Sequence, residues 1–160
     1  MAHCRGVLAD RERGTTNNLR ASLEAALAFV PSMPEANYDL GLLLVAEGDE
    51  AGAAELFRRA ATNAPGRPEP LTELEKLGPF ETRWQSAQSL VTTDKARALT
   101  QARVAAALDP EHLDAARLVA RLLEELDQDE EAIKAWQRVQ QMAPGDEEAG
   151  KALDRLGAES

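Results

Sequence analysis

Apolar residues recur at steps of three and four between residues 34 and 65, the spacing that aligns side chains along one face of an α-helix. The first series is Ala36, Leu40, Leu43 and Leu44, and the second is Ala53, Leu56, Phe57, Ala60 and Ala61. The polar segment Glu47-Gly48-Asp49 separates the two series, and Pro65 ends the second. The pattern therefore predicts two helices joined by a short turn.

The start of this hairpin carries the residues that commonly begin a helix. Ser32 stands three residues before Glu35, and Pro34 falls at an early helical position. A serine at this spacing can accept a hydrogen bond from a free backbone N–H, so we expect Ser32 to cap the first helix. Small residues, Gly41 on the first helix and Ala53 on the second, predict that the helices approach closely.

The order of small and large residues in the hairpin matches a known family. The matching residues are Leu40, Gly41, Ala53, Phe57, Ala60 and Pro65. This register resembles the tetratricopeptide repeat, whose period is 34 residues. Asn37 departs from the pattern, which often has tryptophan there. The resemblance covers about residues 15–158, strongly in two repeats and loosely elsewhere.

The spacing of prolines repeats the same period. Pro31 and Pro65 are 34 residues apart, as are Pro110 and Pro144, whereas Pro65 and Pro110 are 45 apart, which is one period with 11 residues inserted. A lone hairpin cannot bury both its faces, so the resemblance implies an all-α, right-handed solenoid of stacked helical hairpins.

We expect one domain over residues 1–160, divided by this register. The predicted parts are a degenerate first repeat (1–33), a repeat (34–66), an inserted helix (67–78), a weak repeat (79–112), a repeat (113–146) and a capping helix (147–158). In the first part, Gly14 lies one period before Gly48, which predicts a turn there and a helix from about Asn17 to Phe29. Before Gly14, a short helix and an arginine-rich disordered end are both open.

Prolines and a glycine limit the helix of the inserted segment at both ends. Pro68 and Pro70 confine a helix to about Glu69–Leu77, and Gly78-Pro79 ends it. The alternative is one long helix that continues into the next repeat and kinks at Pro79.

The later repeats predict helices over Phe80–Val91, Asp94–Leu108 and about Asp146–Leu156. Asp127-Gln128-Asp129 stands where the hairpin at residues 34–65 has its glycine turn, and aspartate tolerates such a turn. Trp136 falls at a large core position of the repeat, where we expect it to pack.

Composition and charge limit the classes of partner and the cellular locations that we expect. The net charge is −10, and an acidic surface repels phosphates, so nucleic acid is not expected as a partner. No apolar run approaches the ~20 residues that span a bilayer, and residues 1–14 lack the apolar centre of a secretory signal. A cytoplasmic protein without membrane contact is expected, and the single cysteine, Cys4, excludes an intrachain disulfide.

Few residues could carry catalysis or hold a metal. His3 and Cys4 lie in the terminal segment without a positioned base, and His112 is explained by the start of a helix just after Pro110. The acidic pairs lack the spacing of a calcium loop. We therefore predict no enzyme activity, no catalytic residue, no cofactor and no metal.

The resemblance implies a binding surface, because in this family the first helix of each repeat lines a concave groove. The residues implied there are Tyr38, Leu42, Val45, Phe80, Arg83, Arg117 and Arg121. Apolar residues off the packing face commonly mark interaction sites, and arginines bind carboxylates. The alternative is that the aromatic rings pack against neighbouring helices and the arginines pair with glutamates of the chain, as Arg121 could with Glu125.

The functional prediction is a non-catalytic scaffold that binds a protein or peptide segment, with acidic and apolar residues, in the concave groove. A second hypothesis is self-assembly into a homo-oligomer through an uncapped terminal repeat, because repeat arrays need polar terminal faces to stay soluble.

Overall fold

A computed structural model describes the backbone of residues 2–158 and the side chains of residues 14–157. Over residues 2–158 the chain forms nine α-helices and no β-strand. They are α1 (Ala2–Phe29), α2 (Pro34–Glu47), α3 (Glu50–Asn63), α4 (Glu69–Lys76), α5 (Phe80–Leu90), α6 (Lys95–Leu108), α7 (Leu113–Glu125), α8 (Asp129–Met142) and α9 (Glu147–Ala158). The predicted all-α fold of helical hairpins is confirmed.

The helices divide into two compact units, Met1–Leu74 and Glu75–Ser160. In the N-terminal unit, α2 packs against both α1 and α3. In the C-terminal unit, the packed pairs are successive helices from α5 through α9. Each unit is therefore built from helices that are neighbours in the sequence, as expected of stacked hairpins.

The turn between α2 and α3 follows the sequence prediction. Gly48 adopts a φ of 85°, in the left-handed region that glycine enters without a steric penalty. The N–H of Asp49 donates to the carbonyl of Leu44 at 2.8 Å, and Oδ1 of Asp49 accepts from the N–H of Gly52 at 3.0 Å. These two bonds close α2 and cap α3 at the same turn.

Gly41 allows the close approach predicted for this hairpin. A Cβ atom at Gly41 would lie 2.6 Å from Cε1 of Phe57, which is fully buried. The Phe57 ring therefore occupies the space that a larger residue at position 41 would need.

The start of α2 differs from the prediction. Met33, not Ser32, is the N-cap residue, and it makes no side-chain capping bond, while Pro34 is the first helical residue. The loop is held instead by the buried amide of Asn37, whose Nδ2 donates to the carbonyls of Pro31 at 3.0 Å and Met33 at 2.8 Å. The Ser32 cap is wrong, because the asparagine reaches back to the loop from inside the helix.

The turn predicted at Gly14 is also wrong. Helix α1 runs without interruption from Ala2 to Phe29, through Gly14. Glycine permits a turn but does not impose one, and here it lies inside a helix. The part of α1 after Asn17 agrees with the predicted helix. Its length of 28 residues is twice the 14 of α3.

The inserted helix is present and separate from the helix that follows it. Helix α4 ends at Lys76, Gly78 has a φ of 96°, and α5 begins at Phe80. A single helix kinked at Pro79 is therefore excluded, because the left-handed residue breaks the chain of helical hydrogen bonds before the proline.

The C-terminal unit has a continuous apolar core. Trp136 is 1% exposed and packs in this core, as predicted, and Asp127 takes a φ of 56° in the turn between α7 and α8. Helix α9 adds Ala149, Ala152 and Leu156 to this core. The predicted capping helix thus packs through its apolar face onto the other helices of the C-terminal unit.

Candidate partner-binding surfaces

The candidate site in the N-terminal unit is an apolar patch on α2, formed by Tyr38, Leu42 and Val45. Their spacing of four and three residues places them on one side of the helix. Leu42 is 39% and Val45 40% exposed, whereas Tyr38 is partly buried with its ring centroid 5.8 Å from that of Phe57. The patch therefore offers two exposed aliphatic side chains beside a ring fixed by the core.

Phe80, the fourth apolar residue predicted for the groove, packs within the C-terminal unit. Its ring centroid lies 6.2 Å from that of Trp84 and 4.5 Å from that of His112. His112 is also the N-cap of α7, since its Nδ1 accepts from the N–H of Ala115 at 3.1 Å. The three rings form a cluster that joins α5 to the start of α7, as the packing alternative proposed.

Arg83 bonds to its own unit. Its Nε donates to the carbonyl of Leu77 at 2.8 Å, and its Nη1 donates to Oε1 of Gln101 at 3.1 Å. The guanidinium thereby ties the start of α5 to the segment after α4 and to α6.

Arg117 forms an ion pair with the start of α9. Its Nε donates to Oδ2 of Asp146 at 2.8 Å, and its Nη1 donates to Asp114 at 3.0 Å. The Asp146 side chain is 2% exposed and its Oδ1 accepts from the N–H of Ala149 at 2.9 Å. This N–H and the guanidinium hold the pKa of the Asp146 carboxyl below its ordinary value, and the pairing raises the pKa of Arg117.

Arg121 binds Glu148 rather than the predicted Glu125. Its Nε and Nη2 donate to the two carboxylate oxygens, the second at 2.5 Å, in a bidentate pair. The hydrogen bond from Arg121 lowers the pKa of the Glu148 carboxyl. Glu125 pairs instead with Lys95 at 3.0 Å. Both members of the Arg121 pair are exposed, at 50% and 41%, so the pair stays accessible.

A third ion pair joins the same two helices. Nε of Arg155 donates to Oε1 of Glu124 at 2.7 Å, and Nε1 of Trp136 donates to Oε2 of Glu124 at 3.2 Å. The pairs Arg117–Asp146, Arg121–Glu148 and Arg155–Glu124 are called the charge ladder below. Beside it lies an open pocket of about 400 Å³ lined by Arg121, Glu124, Glu125, Trp136, Glu148 and Arg155.

The charge ladder was missed at the level of the sequence. Its partners are 29, 27 and 31 residues apart, close to one repeat, and α7 and α9 stand one repeat apart. Opposite charges at about that spacing were the available signal. The predicted pair lay instead within one helix, between Arg121 and Glu125, which are four residues apart.

These surfaces carry apolar and charged side chains that can bind a partner. Among residues 14–157, no group of three histidine, cysteine, aspartate or glutamate side chains is placed to hold a metal ion. His3 and Cys4 lie outside the described side chains. Exposed aliphatic residues can bind an apolar partner, and guanidinium and carboxylate groups can exchange ion-pair partners.

The family follows from these features together with a family model. The tetratricopeptide repeat model matches residues 16–68 and 91–147, more than half of the chain. The chain belongs to the tetratricopeptide repeat family, whose members bind proteins or peptides and are typically non-catalytic scaffolds. The predicted resemblance is confirmed. None of the curated proteins matches the chain.

Several solved structures resemble the chain at low identity. MamA is 17% identical, with 94% of this chain and 82% of that chain covered and a TM-score of 0.49. MamA from Desulfovibrio magneticus RS-1 is 18% identical, with 97% and 82% covered and a TM-score of 0.47. YrrB, described as a TPR protein with an unusual peptide-binding site, is 21% identical, with 87% and 85% covered and a TM-score of 0.43.

None of the helices in the described part of the chain is both long and apolar enough to cross a bilayer.

Proposed function

We propose that the protein is a non-catalytic scaffold that binds a peptide or protein segment in the concave groove that first helices line in this family. The observation that carries the proposal is the exposure of Leu42 and Val45 on α2, a first helix whose other apolar residues, such as Leu40 and Leu44, are buried. Aliphatic residues that are this exposed contribute less to packing than buried ones, and such patches commonly bind partners.

The three arginines extend the proposal to acidic partners. Arg121 is half exposed, and its two bonds to Glu148 leave guanidinium donors unused. A partner carboxylate could use those donors or replace Glu148. Arg117 and Arg83 are less exposed and bond to Asp146 and Leu77, so we assign them a supporting part in shaping the surface.

We include Phe80 in the proposed binding surface together with the two rings that it contacts, Trp84 and His112. All three rings are partly buried, and a partly exposed ring cluster can pack against an apolar side chain of a partner. A cytoplasmic location, and the absence of nucleic acid and membrane as partners, remain predictions from the sequence that accompany this proposal.

Selection from a displayed random peptide library tests the proposal. We expect the wild-type chain to enrich peptides that combine apolar and acidic residues. Leu42→Glu should weaken binding of an enriched peptide at least about tenfold, equivalent to ~1.4 kcal/mol, because a carboxylate replaces the apolar contact. Arg121→Ala should weaken acidic peptides selectively.

Two control variants make the result specific. Leu71→Glu changes a leucine that is also exposed, at 50%, but lies on α4. Arg138→Ala removes an exposed arginine on α8, which is the second helix of its repeat. Neither should change peptide binding. Equal losses in Leu42→Glu and Leu71→Glu, or no enriched peptide at all, would contradict the proposed site.

Self-assembly into a homo-oligomer is a second candidate function. Among side chains 14–157, the exposed large apolar residues all lie in the N-terminal unit. They are Leu19, Phe29, Val30, Leu42, Val45 and Leu71. Three of them, Leu19, Phe29 and Val30, lie on α1 or directly after it.

A further inference from the structure

Carboxylates border the apolar patch of α2. The helix carries Glu35, Asp39 and Glu47, all exposed, and it contains neither lysine nor arginine. Asp39 stands three residues before Leu42. Side chains three residues apart on a helix are neighbours, with Cβ atoms about 5–6 Å apart. The Asp39 carboxylate therefore lies at the edge of the patch, beside one of its two exposed aliphatic side chains.

Asp39 has no partner in the part of the chain whose side chains are described. Among residues 14–157, no hydrogen bond or ion pair involves its carboxylate. Glu35 lies one turn before it, and two like charges four residues apart on a helix repel each other. A positive charge placed beside Asp39 relieves this repulsion, so the carboxylate is available to a cation of a partner.

The two arginines that pair with α2 do not balance its charge. Nη1 of Arg20 lies 2.5 Å from Oε2 of Glu47, and Nη1 of Arg67 lies 3.0 Å from Oε1 of Glu35. Each arginine also pairs with a second carboxylate, Arg20 at 2.8 Å and Arg67 at 3.8 Å. Two positive charges are thus shared among four carboxylates, and α2 presents a net negative charge beside its apolar patch.

Helix α7, the first helix of a later repeat, carries different groups at the equivalent positions. Tyr38 and Leu42 are the fifth and ninth residues of their repeat, where α7 has Arg117 and Arg121. Both arginines pair with carboxylates at the start of α9. Each unit considered by itself, α2 offers apolar and acidic groups, whereas α7 offers guanidinium groups. The two helices therefore suit different side chains of a partner.

We propose that the α2 patch binds a partner segment in which a lysine or arginine stands next to apolar side chains. The apolar side chains contact Leu42 and Val45, and the cation pairs with Asp39. This inference rests on the proposed function, the binding of a peptide or protein segment, and it names the chemistry of that segment at α2. Acidic residues of the partner stay assigned to Arg121.

The cation contributes to selectivity more than to affinity. An ion pair between exposed groups adds little binding free energy, because water solvates both charges and their side chains must be ordered. A carboxylate of a partner at the same place is repelled, so the charge still decides which segments bind. The discrimination should therefore be larger between a cation and an anion than between a cation and a neutral side chain.

Parallel selections from one displayed random peptide library test the proposal. The baits are the wild type, Asp39→Lys and Glu55→Lys, and only enriched peptides that Leu42→Glu weakens are compared. Lysine or arginine beside the apolar residues should be at least about threefold more frequent in the wild-type pool than in the Asp39→Lys pool. Glu55→Lys changes the net charge equally, at a side chain 55% exposed on α3, and should reproduce the wild-type pool.

Charge reversal on a single enriched peptide measures the pair directly. Replacing its basic residue by glutamate should weaken binding to the wild type about tenfold, and Asp39→Lys should restore most of the loss. Fluorescence anisotropy of the labelled peptide gives both values. Raising the salt from roughly 0.05 M to roughly 0.5 M should reduce the difference, because salt screens exposed charges. Circular dichroism checks that each variant remains helical.

The other outcomes separate this inference from the proposed function. Peptides that need Leu42 but show equal basic content in the wild-type and Asp39→Lys pools would overturn the role of Asp39 and leave peptide binding at α2 standing. Basic peptides that Leu42→Glu does not weaken would place the cation elsewhere on the acidic surface and also overturn it. A library that yields no enriched peptide would overturn both.

Discussion

The two units of this protein use the same repeat but finish it differently. At the C-terminal end, α9 places Ala149, Ala152 and Leu156 in the core and attaches to α7 through the charge ladder. At the N-terminal end, α1 leaves Leu19 half exposed. Helix α9 therefore buries its apolar face within its own unit, whereas α1 leaves an apolar side chain accessible to solvent.

The largest effect is expected when a buried leucine of α9 is compared with an exposed leucine of the N-terminal unit. Leu156→Ala in α9 should lower the free energy of unfolding by about 2 to 4 kcal/mol, because a leucine that is 4% exposed leaves a cavity in the core. Urea unfolding followed by circular dichroism measures the change. Leu71→Ala, at a leucine 50% exposed in the N-terminal unit, should cost less than about 1 kcal/mol. Equal costs would mean that α9 is not part of the C-terminal core.

A smaller effect is expected from replacing glycine by alanine, which should lower the stability in one unit and raise it in the other. Gly41→Ala should destabilise by about 1 to 3 kcal/mol, since its Cβ would lie 2.6 Å from a buried ring. Gly150→Ala in α9 has nothing within 4 Å and should stabilise by about 0.5 to 1 kcal/mol, because alanine favours helix. Thermal unfolding of both variants reports the signs, and a neutral Gly41→Ala would show that Phe57 can move aside.

The smallest effect concerns the anchoring of α9. Asp146→Asn keeps an oxygen that can cap the helix but removes the charge that pairs with Arg117. It should cost about 1 to 2 kcal/mol at neutral pH. The folded-state pKa of Asp146 lies below its ordinary 3.8, so the carboxylate stabilises the fold above pH 3.8. That stabilisation is lost as the pH falls below 3.8 through the folded-state pKa.

Unfolding measured against pH checks the sign. The gap between wild type and Asp146→Asn should narrow as the solution is acidified through that range. Glu147→Gln, one residue later and 87% exposed, should change stability by less than about 0.5 kcal/mol at any pH. A gap that widens in acid would contradict the role of the Arg117 pair.

Much of the fold was predictable from local signals. The turn at Gly48 and Asp49 was readable because both residues act within a few positions of themselves, through a left-handed φ and a cap to Gly52. Trp136 was placed in the core by the register alone. The Ser32 cap failed, since the buried Asn37 amide holds that loop from a position the local pattern did not single out.

The candidate site was predictable only in part. The register selected Leu42 and Val45, and both are exposed. It could not indicate that the Phe80 ring would contact the His112 ring, nor that Arg121 would pair with Glu148 and not with Glu125. Those partners are about one repeat away, and which of several charges meets an arginine depends on how neighbouring helices are rotated.

By itself, the sequence determined the repeat: its period, its family, its helices and the residues that pack between them, because these follow from the spacing of apolar and small residues along each helix. Only the tertiary structure decided which side chains of different repeats pair with one another. Whether α9 is held by ion pairs, and which glutamate Arg121 meets, depends on contacts between residues far apart in the chain. A pattern of short period carries no record of those contacts.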